Sequence, residues 1–272
     1  MIQYRSVTKK IVTICFETLL TTALLFLNPY WGLLLLLFLF LLVDKIDLLK
    51  FFIRINFHKI NYYLPILIEY SIILLVNLYL AKRMGIKLSI DLKPDSLLSF
   101  LSQRIASIIR EELVTSFSWF IISFQVISLH QKSMISQNQI GSITLVLAFL
   151  FGLGHLSFFY THPETFSTHD FPVILAVSIV YNAFCIGYYL KTLFIKTFSL
   201  PLVVVAHILI NLPRYFNHLY KLEGSGLDFN FTYTFLLIPS IYLLYTVLFL
   251  QKQGEHPFLE SVLAGLLTER GP

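Results

Sequence analysis

A helix needs about twenty consecutive apolar residues to cross the hydrocarbon core of a bilayer, and such stretches recur from one end of this chain to the other. They run over Ile11–Leu27, Tyr30–Val43, Tyr62–Ala81, Ile105–His130, Ile140–Tyr160, Phe171–Leu190, Leu200–Phe216 and Phe229–Leu250. A bilayer core has no water to satisfy unpaired backbone groups, so a spanning segment must be helical or belong to a closed barrel. Runs this long and continuous read as helices. The expected architecture is all-α, a polytopic membrane bundle of about eight transmembrane helices enclosing a polar cavity. Composition agrees, since 57% of the 272 residues are hydrophobic and only 13% are charged. A net charge of +5 would suggest nucleic acid in a soluble domain. Here, however, the Lys and Arg residues fall mostly in short loops between spans, where they set orientation. The partner this composition implies is membrane lipid, with no nucleic acid.

Asn28-Pro29 is a turn signal that folds the first two spans into a hairpin. Arg5, Lys9 and Lys10 precede the first span without a small-residue cleavage site, so it reads as a retained span. Pro65 is tolerated in the first turn of the third span. The loop from Lys82 to Phe100, broken by Gly85 and Pro94, suggests short interfacial segments, and Gln251–Pro272 reads as a helix lying on the membrane. Counting basic flanks, Lys191 and Lys196 among them, places both termini in the cytoplasm of a multi-pass cell-membrane protein. The chain divides into N-terminal helices and an interfacial loop (1–104), a core (105–217), and a last span with its tail (218–272). Cys15 and Cys185 lie in apolar runs and read as packing residues, not as a disulfide or metal ligands.

Polar residues inside three of the spans carry the chemistry. A carboxylate at the centre of a spanning helix costs about 2.5–3.5 kcal/mol or more, so intramembrane ionisable groups mark sites of chemistry or transport. Glu111 and Glu112 follow Arg110 on the fourth span. Successive helical residues project about 100° apart, so one Glu can face a central cavity while the other packs against a neighbouring helix. Phe151 and His155 stand at i and i+4, as do His207 and Asn211, so each pair shares a helix face. A carboxylate, two imidazoles and an amide suffice to activate water and stabilise an oxyanion.

These residues resemble the CPBP group of intramembrane glutamic proteases, named for CAAX proteases and bacteriocin-processing enzymes and also called Abi. The family pattern is EExxxR, then FxxxH, then HxxxN or HxxxD. This chain has Glu111-Glu112-Leu113-Val114-Thr115-Ser116, Phe151-Gly152-Leu153-Gly154-His155 and His207-Ile208-Leu209-Ile210-Asn211, in order on three helices. The resemblance covers about Gln103–Pro213. It implies a metal-independent protease without cofactor, in which Glu111 takes a proton from water and His155 holds and polarises that water. His207 and Asn211 would form the oxyanion hole. Glu112 and Phe151 would support the site. Ser116 departs from the pattern, standing where the family has Arg. Either Arg110 or Arg104 supplies the missing cation, or the site is partly degenerate; in an active enzyme Ser116→Arg is expected to raise turnover.

Other readings stay open. Zinc could be held by His and Glu, but no HExxH is present, and His162, Glu164, His169 and Asp170 read as a hydrated loop after a span. A non-catalytic scaffold binding a sensor kinase or secretion partner is the alternative that Ser116 supports. A proton-coupled transporter is disfavoured, since no repeated pair of broken helices is evident. The bias towards Ile, Phe, Leu and Lys suggests a bacterium, where prenylated CAAX proteins are not expected. The substrate class would then be a membrane-associated peptide, with bacteriocin processing or self-immunity as its context.

Overall fold

A computed structural model describes residues 60–84, 137–156, 172–219 and 236–252, together with 99, 102, 105–109, 111–112 and 115–116. Every regular element among the described residues is helical. The first two spans, most of the loop before the fourth and of the fourth itself, the His162–Asp170 stretch and the C-terminal tail lie outside the described residues, as do Arg104 and Arg110, and with them the count of eight helices and the closure of a cavity.

A 3-10 turn over Ile60–Tyr63 leads into α1, Leu64–Met84, with Pro65 in its first turn, where a missing N–H costs nothing. Helix α2 spans Gln137–Gly154. The expected span ran on to Tyr160, but the chain instead closes in a turn, with His155 N–H donating to Gly152 O at 3.1 Å and Leu156 N–H to Leu153 O at 3.0 Å. Gly152 and Gly154 weaken the last helical turn and allow this tight exit. Helix α3 spans Pro172–Thr197, and α4 spans Leu200–Leu219. Helix α5, Ile238–Tyr245, carries Pro239 near its start and continues as a π-helical turn over Thr246–Leu250.

Helix α3 is the axle of the structure. Every residue from Cys185 to Ser199 is buried, as expected of a helix at the centre of a bundle. Its Tyr189, Leu190, Leu193 and Phe194 join Ile66 of α1, Leu147 of α2, Ala206 and Ile210 of α4, and Tyr242 of α5 in one core. The close approach of α2 needs glycine. A Cβ at Gly187 would lie 2.7 Å from Phe151 Cδ1, and one at Gly152 would lie 2.8 Å from Val180 O, the small-residue contact by which membrane helices pack. Hydrogen bonds tie the outer helices in. Tyr189 donates to Tyr62 O (2.7 Å), Tyr70 donates to Leu209 O (2.9 Å), and Tyr242 donates to the buried Glu69 carboxylate.

Among the described residues the distribution of polarity is inverted relative to a water-soluble protein. Val173 is 73% exposed and Leu75 66%, whereas Glu69, Glu112, Lys191 and Lys196 are buried. Charged side chains are almost never buried in soluble folds unless paired; a lipid-facing bundle turns its apolar side chains outward. Val173–Thr197 is long and apolar enough to cross a membrane, and Asn61–Leu75, Gly141–Gly154, Leu200–Leu212 and Ile238–Leu250 are shorter apolar helices.

Candidate active site

The site is assembled around the junction of α3 and α4. After Thr197 the backbone reverses through Phe198, whose φ of 47° lies in the left-handed region, a conformation that costs a bulky residue of order 1–3 kcal/mol. The burial of its ring at 3% exposure, packed on Phe194 with centroids 5.5 Å apart, holds it there. Leu200-Pro201 then starts α4 at once. Lys191 precedes the reversal by roughly two helical turns and His207 follows it by roughly two and a half. Both side chains therefore arrive at about the same height.

Glu112 meets them from the fourth apolar stretch. Its Oε1 accepts from His207 Nδ1 at 2.8 Å, and its Oε2 accepts from Lys191 Nζ at 2.8 Å and from Ser116 Oγ at 3.3 Å. The ammonium also donates to Thr115 Oγ1 at 2.5 Å and to Ser116 Oγ at 3.2 Å. Glu112 is 1% exposed, Lys191 3% and Ser116 fully buried. Two charges this deep persist only as a well-bonded pair; breaking such a pair costs about 3–5 kcal/mol.

The other motif residues adjoin this cluster. Phe151 lies edge-on to His155, ring centroids 4.6 Å apart, and its own centroid is 6.0 Å from Lys191 Nζ. His155 Nδ1 is 3.0 Å from Phe151 O. A carbonyl can only accept, so Nδ1 is the donor in this contact. Asn211 donates through Nδ2 to His207 O at 3.0 Å, as i, i+4 neighbours on α4. Glu111 is half-buried, and its carbonyl accepts the Thr115 hydroxyl at 2.8 Å. The carboxylate that the structure joins to His207 is thus Glu112, across 95 residues of sequence.

Three residues escaped the sequence reading. Hydropathy ends the span at Leu190 and makes Lys191 and Lys196 flanking loop residues; α3 instead continues to Thr197 with both lysines buried. The signal was present, because Leu193-Phe194-Ile195 prolong the apolar run beyond Lys191. Glu69 is a carboxylate within the third span, buried at 2% exposure and bonded by Tyr242.

Among the described residues the helices turn apolar side chains outward and bring a carboxylate, an ammonium, two imidazoles and an amide together. A family model described as type II CAAX prenyl endopeptidase Rce1-like matches residues 94–213. That stretch contains all three motifs and all the residues of the cluster, so over it the chain carries the sequence pattern of a membrane-embedded protease family. No curated protein and no solved structure matches the chain.

Proposed function

We propose that the protein is an intramembrane endopeptidase that hydrolyses a peptide bond of a membrane-associated peptide, with Glu111 and His155 activating water and His207 and Asn211 binding the oxyanion. The observation that carries this reading is the 2.8 Å contact between Glu112 and His207, which ties the first motif to the third inside the matched segment. Both oxygens of Glu112 are engaged by donors, so it is poorly disposed to take a proton from water. Glu111, one residue on and half-buried, is the carboxylate left for that task.

The steps then balance as follows. Glu111 accepts a proton from a water held by His155 Nε2, and the oxygen attacks the scissile carbonyl carbon. Glu112, bonded to His207 Nδ1, holds that ring in place, and a hydrogen on His207 Nε2 donates to the new oxyanion, with the second Nδ2 hydrogen of Asn211 donating beside it. When the C–N bond breaks, Glu111 returns its proton to the leaving amine. A metal is not required. A divalent cation on Glu112 would face the Lys191 ammonium 2.8 Å from the same carboxylate. The matched family, CAAX prenyl endopeptidases, points to prenylated CAAX peptides, and an unprenylated bacteriocin-like peptide is the other candidate among membrane-associated peptides.

The test uses protein reconstituted in vesicles with two internally quenched peptides, one a farnesylated CAAX peptide and one an unprenylated apolar peptide. Wild-type turnover of either, abolished by Glu111→Gln in protein that retains its melting temperature, is the expected result. Turnover equal in Glu111→Gln and wild type, or none with either peptide, overturns the reading in favour of a scaffold.

A further inference from the structure

We infer that Lys191 is a positioning residue for this site, supplying from α3 the cation that fixes Glu112, and that Ser116 must stay small because Lys191 occupies the space beside it. An ammonium has three hydrogens, and Lys191 directs them at three acceptors on one helical segment, Glu112 Oε2, Thr115 Oγ1 and Ser116 Oγ. Its charge balances the carboxylate inside a lipid-facing bundle, where neither would be tolerated alone. Because Glu112 is gripped on Oε2 by Lys191, its Oε1 is held at His207 Nδ1, so the orientation of that imidazole depends on a lysine that does not touch it. Arg104 and Arg110 need not reach the site. The expectation for Ser116→Arg is thereby reversed: at a position with no exposed surface, a guanidinium would meet the Lys191 ammonium and displace it.

The effect on turnover rests on the proposed protease activity; the contact itself does not, and the test separates the two. Four variants are compared in vesicles with the quenched farnesylated CAAX peptide: Lys191→Met, Lys191→Arg, Ser116→Arg, and Ser116→Arg combined with Lys191→Met. Lys191→Met and Ser116→Arg alone should each lower kcat at least about tenfold with KM changed little, as expected when a group acting in the transition state is misplaced. Lys191→Arg should retain turnover that Lys191→Met loses, and the double variant should regain part of it, which a purely structural lysine would not produce. In parallel, melting temperatures in detergent are measured for Lys191→Met, Glu112→Gln and their combination. If the two residues act as a pair, the combined variant melts no lower than the worse single one. Additive losses overturn the inference whether or not any peptide is cleaved, and so does a Lys191→Met enzyme with wild-type kcat. A coupled melting cycle without turnover of either the farnesylated or the unprenylated peptide by wild type supports the Lys191 contact and counts against the protease reading instead.

Discussion

Gly187→Ala isolates a single packing contact that reaches the site. The added methyl would stand 2.7 Å from Phe151 Cδ1, 3.2 Å from Cε1 and 3.7 Å from Cγ, whereas carbon atoms rest at about 3.5–4.0 Å. The ring must therefore retreat by roughly 1 Å, or α2 must move away from α3. Overpacking of this kind costs about 1–3 kcal/mol, and the gain in helix propensity on replacing Gly by Ala returns about 1 kcal/mol. Net destabilisation should thus be about 0–2 kcal/mol, a modest fall in melting temperature. Turnover should suffer more, because the displaced ring is the one that lies against His155 and 6.0 Å from Lys191 Nζ; a 1 Å misplacement can cost about a hundredfold in rate. Gly141→Ala is the internal control, since its Cβ would approach only the flexible end of Gln251, at 3.1 Å. Both variants are assayed for kcat on the quenched peptide and for unfolding in detergent. A Gly187→Ala protein that melts above wild type with unchanged kcat would refute the close approach of α2 and α3.

Glu112→Leu strands the Lys191 ammonium in an apolar interior and should destabilise the protein by about 3–5 kcal/mol, read as a large drop in the detergent melting curve; a shift within error would mean that the pair is not buried as described. Activity should persist in a membrane-permeant zinc chelator, because water activation is assigned to a carboxylate and an imidazole; loss of cleavage on chelation, restored by added zinc, would reassign the site to a metal.

The sequence by itself determined what depends on short-range periodicity. Apolar runs set where helices form, and i, i+4 spacing puts Phe151 with His155 and His207 with Asn211, as the Phe151 O and His207 O hydrogen bonds reflect. The Glu-Glu, Phe-His and His-Asn motifs indicated the family over the segment later matched. Helix α2 ends at Gly154, short of the apolar run, because hydropathy continues past the glycines while backbone preference does not. Only the tertiary structure decided which residues meet. Lys191 and Glu112 are 79 residues apart, and Glu112 and His207 are 95 apart. Neither pairing follows from the pattern of its own helix, because a lysine in an apolar run reads the same whether it marks the end of a span or has a buried carboxylate to meet. The reversal at Phe198 and the glycine contact at Phe151 resolve that ambiguity, by bringing α2, α3 and α4 close enough for one carboxylate to hold an ammonium and an imidazole together.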